Sequence, residues 1–172
     1  MDDADDRTEE PSPGETVGQA LREAGETVAV AEGATGGLVT ALLTAPPGAS
    51  DYLDRGYVTY GYDSLRELLA VPRETLDESG AVSGPTAAAM ARAARDRSRT
   101  DWGLATAGIA GPDGGTPDRP VGTAFVAVAA AAPWGSEESD ASVRRYSFEG
   151  SRAAVRESLA RQALRDLQAA LE

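Results

Sequence analysis

Short apolar segments rich in β-branched residues alternate along this chain with segments of helical pattern, and this alternation limits the possible fold more than any other feature. Residues 27–31 predict a buried strand, and residues 38–44 predict a helix that ends before two prolines. Alternating strands and helices are typical of α/β domains. Two late strands, at 122–131 and 142–148, follow one another and indicate an antiparallel pair. We therefore predict a three-layer α/β/α domain with a mixed, mostly parallel sheet.

The remaining elements follow from the same patterns. Asp63 or Ser64 is predicted to cap a short helix, and Ser83 is predicted to cap an alanine-rich helix rather than to act as a nucleophile. The other predicted elements are strands at 55–62 and 102–107, helices that begin at residue 15 and at Pro72, an alanine-rich helix at 86–97 and a closing helix at the C-terminal end.

The chain has 172 residues, which is enough for one domain with its own core. Residues 1–14 are acidic, contain Pro11 and Pro13 and have almost no apolar side chains, so we predict a disordered tail. A single domain is then expected over residues 15–172.

The charge is strongly acidic: the net charge is −12, the pI is about 4.4 and all 16 basic residues are arginine. Carboxylates keep a protein soluble where salt screens their repulsion, so the composition predicts a halophilic, salt-adapted cytosol. An acidic surface argues against nucleic-acid binding, which needs basic residues. The chain has no apolar run of about 18 residues and no signal-peptide pattern, and we expect a cytoplasmic protein without a membrane segment.

Three residue types are missing, because the sequence has no Cys, no His and no Lys. Their absence excludes disulfides, thiolate nucleophiles, Ser-His and Ser-Lys catalytic pairs, imidazole metal ligands and the lysine of a P-loop. Catalysis would depend on carboxylates, hydroxyls, arginines, backbone amides or an oxygen-bound cation such as Mg²⁺. We predict no metal site and no cofactor.

Two glycine-rich loops each follow a predicted strand, at residues 32–37 and 108–115. Loops in this position bind anions such as phosphate through free backbone amides, and two of them imply a shared crevice. The alternative for the first loop is a tight turn in which the glycines supply unusual dihedral angles. Asp113 is a candidate to hold a ribose hydroxyl or a cation, or to cap its own turn. The candidate ligand-binding residues of the two loops are Glu32, Thr35, Gly36, Gly37, Gly108, Gly111, Asp113 and Gly114.

These loops lie within a series of motifs that resembles the CinA C-terminal (nicotinamide-nucleotide amidohydrolase) family. The family pattern begins with A-E-S-C-T-G-G and V-T-Y-S-N-E-A-K, and this chain reads A-E-G-A-T-G-G at 31–37 and V-T-Y-G-Y-D-S-L at 58–65. The chain continues with G-A-V-S-G at 80–84, A-G-I-A-G-P-D-G-G at 107–115, R-P-V-G-T at 119–123 and F-E-G-S-R-A-A-V-R at 148–156. The motifs occur in the family's order over residues 15–172.

The resemblance implies hydrolysis of the carboxamide of nicotinamide mononucleotide by a serine that a lysine activates, with a tyrosine and a second hydroxyl residue assisting. In this chain the serine position is Gly33, the lysine position is Leu65 and the second hydroxyl position is Ala107. A family glutamate is replaced by Gly84, whereas the tyrosine is retained as Tyr60. Loss of a nucleophile alone typically lowers turnover by a factor of roughly 10⁶, so a degenerate, non-catalytic member is expected.

Two further groups of candidate ligand-binding residues allow more than one interpretation. Tyr60 is expected either to face the pocket or, as the inward residue of a strand, to belong to the core. Arg152 and Arg156 lie in the first turns of the last helix, where the helix dipole disfavours cations. A bound phosphate or a subunit contact would explain these arginines, and so would surface pairs with Glu149 or Asp166.

Three functions are compatible with these residues. The first is a non-catalytic protein that binds a pyridine or related mononucleotide and acts in regulation or assembly. The second is an active amidohydrolase in which Glu32 or Asp113 activates a water molecule. The third is a structural module whose pocket is empty. The resemblance also favours a homo-oligomer.

Overall fold

One mixed β-sheet forms the centre of the structure, a computed structural model that describes residues 11–133, 135–136 and 140–172. Its strands are β1 (Val28–Glu32), β2 (Leu53–Val58), β3 (Trp102–Gly108), β4 (Thr123–Ala130) and β5 (Ala141–Ser147). The order across the sheet is β2-β1-β3-β4-β5. β1 pairs in parallel with β2 and with β3, whereas β4 is antiparallel to both β3 and β5. The predicted mixed sheet and the late antiparallel pair are confirmed.

Helices cover both faces of the sheet. They are α1 (Pro13–Ala24), α2 (Leu38–Thr44), α3 (Tyr62–Leu69), α4 (Arg73–Ser79), α5 (Gly84–Ser98) and α6 (Arg152–Leu171), and a 3₁₀ turn lies at Ala49–Asp51. Helices α1, α2 and α6 pack on one face and α3, α4 and α5 on the other, so the three-layer prediction is confirmed. None of the helices in the described part of the chain has the length and hydropathy needed to cross a bilayer.

The strands have different side chains on their two faces, because successive residues of a strand point in opposite directions. Val28 and Val30 of β1 pack against α1, α2 and α6, whereas Ala29 and Ala31 pack against the alanine-rich α5. Small residues on that second face let α5 approach closely. At Gly103 of β3, an added Cβ would lie only 2.0 Å from the carbonyl oxygen of Ala91 in α5.

The structure differs from the sequence prediction at the start of the first helix and at both ends of β2. Helix α1 begins at Pro13, two residues before the predicted domain start, because Ser12 and Glu15 form a reciprocal capping box. Residues 1–10 of the predicted tail lie outside the described residues. The predicted strand at 55–62 is too long, because β2 ends at Val58 and Tyr62 already belongs to α3.

Local hydrogen bonds explain where α3 and α5 begin. Gly61, rather than Asp63 or Ser64, is the N-cap of α3, and the hydroxyl of Ser64 donates to the carbonyl of Gly61 and accepts from its amide. Ser83 caps α5 as predicted, and its Oγ accepts the amide of Thr86 at 3.2 Å. The same oxygen lies 3.0 Å from the carbonyl oxygen of Gly80 and 3.0 Å from the hydroxyl oxygen of Thr86, and its one proton can be donated to either.

Candidate ligand pocket

A cavity of about 190 Å³ lies where β1, β2 and β3 end, between the loops that follow these three strands and the start of α5. Crevices beyond the carboxyl ends of parallel strands are the usual ligand sites of α/β sheets. The predicted shared crevice between the two glycine loops is therefore present. The residues that line it are Gly33, Ala34, Thr59, Tyr60, Leu65, Ala81, Val82, Met90, Ala107, Gly108 and Ala110.

The positions that the family resemblance assigned to catalysis converge on this cavity. Gly33, Leu65, Ala107 and Tyr60 all line it, although they come from four different elements or loops. Leu65 and Ala107 are 4% and 3% exposed, so both face protein rather than solvent. Among the described lining residues no side chain is charged, and only Thr59 and Tyr60 carry a hydroxyl. The cavity thus holds neither the serine nor the lysine of the family pattern.

Glu32 is a predicted ligand-binding residue, but its carboxylate is fully buried and outside the cavity lining. Oε2 accepts the amides of Gly37 and Val39 at 2.9 and 3.0 Å, and Oε1 accepts the amide and hydroxyl of Thr40 at 2.8 and 2.7 Å. The first amides of a helix have no partner within the helix, and a carboxylate at that end is favourable. Glu32 therefore anchors the start of α2 to the end of β1.

The other predicted residues of the first loop also serve the turn. The hydroxyl of Thr35 is fully buried and lies 2.7 Å from the hydroxyl of Thr106 in β3. Gly36 and Gly37 have φ values of 59° and 100°, which belong to the left-handed region that favours glycine. None of the three lines the cavity. The tight-turn alternative describes this loop, and Gly33 and Ala34 are its cavity residues.

The predicted residues of the second loop are divided between two places. Gly108 lines the cavity, and Gly114 borders a shallower groove beside it. Gly111 is buried and has a φ of 80°, and an added Cβ would lie 2.4 Å from Cγ1 of Val121. Asp113 is exposed, lines neither the cavity nor the groove, and has no hydrogen-bond partner among the described residues. It therefore does not cap its own turn.

Arg152 joins the rim of the cavity to the second loop. Its guanidinium donates through Nη1 to the carbonyl of Gly111 and through Nη2 to the hydroxyl of Tyr60, each at 2.7 Å. The residue is on the first turn of α6, and the proposed surface pair with Glu149 or Asp166 is not formed. Arg152 thus connects α6 to the loops that follow β2 and β3.

Arg156 makes the corresponding connection to the first loop. Its Nε donates to the carbonyl of Ala34 at 3.2 Å, and its Nη2 donates to the carbonyl of Thr35 at 2.9 Å. These bonds explain why a cation is placed one turn into α6. Asp166 has other partners, since it accepts the hydroxyl of Tyr146 at 2.7 Å. Both arginines therefore stabilise the loops around the cavity.

Tyr60 belongs to the cavity rim and not to the core. It lies in the loop between β2 and α3, and 63% of the residue is exposed. The core alternative was wrong because β2 ends two residues earlier, so the alternation of a strand does not extend to Tyr60. Its hydroxyl accepts from Arg152.

Six lining residues were not predicted from the sequence, and Thr59 is the polar one among them. It is 2% exposed, and its buried Oγ1 has no hydrogen-bond partner among the described residues. Its amide donates to the carbonyl of Glu32, which holds the chain against the end of β1. Its position next to Tyr60 within the V-T-Y motif was the available signal.

Comparison with known proteins gives one consistent answer. A model of the CinA C-terminal domain family matches residues 11–171. The chain belongs to the CinA C-terminal domain family. The match includes Pro11 to Gly14, which belong to the tail predicted from composition.

Named relatives agree with the family assignment. A CinA-like protein of Geobacter metallireducens is 46% identical over 141 residues, which are 82% of this chain and 32% of the relative. A CinA-like protein of Anaeromyxobacter sp. (strain K) is 46% identical over 157 residues, covering 91% of this chain and 37% of the relative. The chain thus spans about a third of the length of the curated relatives it matches.

Solved structures of family members have the same fold. The competence/damage inducible protein CihA of Agrobacterium tumefaciens superposes with a TM-score of 0.83 at 36% identity, covering 94% of this chain and 96% of that one. A CinA superfamily protein of Klebsiella pneumoniae gives a TM-score of 0.85 at 30% identity, covering 92% of this chain and 95% of that one.

Proposed function

We propose that this protein binds a small mononucleotide without hydrolysing it. The observation that carries the proposal is the convergence of Gly33, Leu65 and Ala107 on one cavity. Hydrolysis of an amide needs a nucleophile, a group that takes up its proton and donors for the oxyanion. At these three positions the chain has a hydrogen atom, an isobutyl group and a methyl group.

Hydrolysis by a bound water molecule would need a free carboxylate at the cavity. Both oxygens of Glu32 are engaged in four hydrogen bonds away from the cavity lining. Asp113 is exposed and is not among the residues that line the cavity. Neither carboxylate is suited to activate water there, which favours binding over the water-based reaction.

The rim of the cavity suits the anionic part of a nucleotide. Arg152 contacts Tyr60 and Arg156 contacts Ala34, and both of these partners line the cavity. A guanidinium has five N–H donors, so each arginine keeps donors for a phosphate after its loop contacts are made. The ring of the ligand would occupy the apolar interior while its phosphate lies at this rim.

The proposal is tested by calorimetry and thermal shift with a panel of mononucleotides at high salt, beside an assay for ammonia release from nicotinamide mononucleotide. We expect saturable binding of at least one mononucleotide and no ammonia above the buffer control. Absence of stabilisation by every nucleotide at millimolar concentration would refute binding. Ammonia release that depends on protein concentration would refute the loss of catalysis.

A gain-of-function variant tests why catalysis is absent. Gly33→Ser, Leu65→Lys and Ala107→Thr together restore the family residues. A Cβ on Gly33 meets its nearest atom, the carbonyl oxygen of Thr106, at 3.2 Å, so the serine needs a shift of only a few tenths of an ångström. We expect deamidation of nicotinamide mononucleotide by this variant. The matched control is Gly33→Ala, Leu65→Met and Ala107→Val, which has similar volumes and no reactive group. A folded restored variant that binds the nucleotide but releases no ammonia would contradict the assignment.

We also propose that the protein is cytoplasmic, works at high salt and forms a homo-oligomer. The charge of −12 without lysine supports the salt adaptation. Light scattering coupled to size-exclusion chromatography measures the oligomeric state, and thermal unfolding in low and in multimolar salt measures the salt dependence of stability. A monomer at all salt concentrations would refute the oligomer, and equal stability in low salt would refute the adaptation.

A further inference from the structure

A second cavity, of about 160 Å³, lies between β4, β5 and the last turn of α6. Helix α6 begins beside the first cavity, where Arg152 contacts Tyr60, and ends beside this one. The two cavities have no described lining residue in common. The described residues that line the second cavity are Val128, Ser142, Arg144, Asp166, Ala169 and Ala170. Unlike the first cavity, it therefore contains both an acidic and a basic side chain.

The acidic side chain, Asp166, is buried and receives few hydrogen bonds. Only 5% of the side chain is exposed. The hydroxyl of Tyr146 lies 2.7 Å from Oδ1 and 2.8 Å from Oδ2 but has one proton to donate, and Nε2 of Gln162 donates to Oδ1 at 3.0 Å. A carboxylate can accept about four hydrogen bonds. Among the described residues Oδ2 thus has a shared proton and no donor of its own, and a further donor in the cavity would stabilise the buried charge.

The basic side chain, Arg144, stands at the mouth of the cavity. Its side chain is 63% exposed, and its Nη1 lies 3.5 Å from Oδ1 of Asp166, which is longer than a good hydrogen bond. A guanidinium has five N–H donors in a planar fork that suits a carboxylate. The second cavity therefore offers an acceptor in its interior and charged donors at its mouth.

The other walls suit a short apolar group and a cation. Val128 supplies an apolar wall, and Ala169 and Ala170 leave room because their side chains are single methyl groups. These alanines lie in the last turn of α6, where backbone carbonyls lack partners within the helix and the helix dipole favours positive charge. An apolar cavity of about 150 Å³ holds one benzene molecule, so this volume accepts a ligand of that size.

We propose that the second cavity binds a small zwitterion, namely an α-amino acid with a short apolar side chain. Its ammonium group donates to Oδ2 of Asp166 and faces the end of α6. Its carboxylate accepts from Arg144, and its side chain packs against Val128. The ligand replaces one long ion pair by two shorter ones, so neither buried charge loses its counter-ion. This site is separate from the first cavity and does not rest on the proposed function.

Three molecules with the same isopropyl group test the need for both charges. L-Valine has an ammonium and a carboxylate group, isobutylamine has the ammonium group alone and isovalerate has the carboxylate group alone. Binding is measured by ligand-observed NMR at one fixed salt concentration. We expect valine to bind at least about tenfold more tightly than either of the others. Absence of valine binding at tens of millimolar, or equally tight binding of isobutylamine or isovalerate, would overturn the proposal.

Two neighbouring arginines provide a matched pair of variants. Arg144→Gln removes the charge at the mouth of the cavity, and we expect the affinity for valine to fall at least about tenfold. The control is Arg145→Gln, because Arg145 is the next residue of β5 and lies over the ring of Phe125 instead. The control should keep the wild-type affinity. Unchanged affinity in Arg144→Gln, or an equal loss in Arg145→Gln, would contradict a role for Arg144 in binding and overturn the assignment.

A second variant fills the cavity without changing any charge. Ala170→Leu enlarges an exposed residue at the end of α6, so the fold should tolerate it while valine binding is lost. Ala41→Leu is the control, because Ala41 is an exposed alanine of α2 that does not line the cavity. Valine binding that persists in a folded Ala170→Leu protein would overturn the proposed location.

Competition with a mononucleotide separates the two sites. We expect valine neither to displace a bound mononucleotide nor to require one, and Ala170→Leu should keep nucleotide binding. Displacement of the nucleotide by valine would place valine in the first cavity and overturn the proposal. Valine binding that depends on Arg144, in a protein that binds no mononucleotide, would refute the proposed function and support the second site.

Discussion

Replacing Glu32 by glutamine distinguishes a structural carboxylate from a catalytic one. Each carboxylate oxygen accepts two hydrogen bonds. Oε2 accepts the amides of Gly37 and Val39, and Oε1 accepts the amide and the hydroxyl of Thr40. The amide group of glutamine has only one oxygen, so its NH₂ must face one of these pairs of donors. The better orientation places the NH₂ at Thr40, because that hydroxyl can rotate and become an acceptor. The backbone N–H of Thr40 then has no partner.

The cost of this change follows from the number of bonds affected. An unsatisfied buried N–H costs roughly 1–3 kcal/mol, and bonds to a neutral oxygen are weaker than bonds to a carboxylate by about 0.5–1 kcal/mol each. With one N–H of Thr40 unsatisfied and the bonds from Gly37 and Val39 weakened, we expect Glu32→Gln to lower the free energy of unfolding by about 3 kcal/mol. For a chain of this length that corresponds to a fall of about 6–12 °C in melting temperature.

Thermal unfolding followed by circular dichroism at fixed high salt measures the effect. The matched control is Glu157→Gln, because Glu157 is exposed and pairs with Arg161 one turn along α6. That change should alter stability by no more than about 0.5 kcal/mol. A melting temperature for Glu32→Gln within about 2 °C of the wild type would refute the structural role. Loss of an ammonia-releasing activity without loss of stability would instead identify Glu32 as a general base.

Three other substitutions test separate parts of the structure. Ser83→Ala removes the hydrogen bond that caps the amide of Thr86, so the free energy of unfolding measured by urea denaturation should fall by about 1–2 kcal/mol. An unchanged urea midpoint would refute the capping role. Arg156→Met removes the bonds to the carbonyls of Ala34 and Thr35 and should speed hydrogen exchange at the amide of Gly36, which is bonded within this loop, more than at the amides of β3. An equal increase in exchange rate at both places would contradict the anchoring role. Burial raises the pKa of Tyr52, because the folded state favours its neutral hydroxyl over the phenolate. The contribution of this hydroxyl to stability is therefore complete below about pH 10 and declines as the pH rises through the raised pKa. Tyr52→Phe loses the hydrogen bond from the Tyr52 hydroxyl to the carbonyl of Leu43, so its free energy of unfolding at pH 7 should be lower than that of the wild type. This difference, measured by urea titration, should narrow above about pH 10. A difference that stays constant with pH would refute the reasoning.

The strands and helices were largely predictable because their signals are local. The helix over Leu38–Thr44 has its predicted bounds, and β1 differs from its prediction by one residue at each end. The errors lie at boundaries where a hydrogen bond between loop and helix decides. After β2 the alternation of aromatic residues in the sequence continues to Tyr62, which predicted a longer strand. In the structure Gly61 caps α3, because the hydroxyl of Ser64 hydrogen-bonds to both the amide and the carbonyl of Gly61.

The candidate site was predictable only where a motif identified positions, as at Gly33, Leu65 and Tyr60. The roles of the polar residues were not, since a side chain's partner depends on distances across the fold. Glu32 and Thr35 had the appearance of ligand-binding groups, but the start of α2 and Thr106 satisfy them. Thr59 was not predicted as a site residue, because the absence of a hydrogen-bond partner for its Oγ1 among the described residues is visible only in the structure.

By itself, the sequence determined which chemistry this protein lacks and which family it resembles, because residue types and ordered motifs need no coordinates. Tertiary structure decided that Gly33, Leu65 and Ala107 surround one cavity and that Arg152 and Arg156 bind loop carbonyls rather than acidic neighbours. The physical reason is that hydrogen bonds and cavities depend on atoms a few ångströms apart. Folding brings such atoms together from positions as distant as Thr35 and Arg156, which lie on different elements.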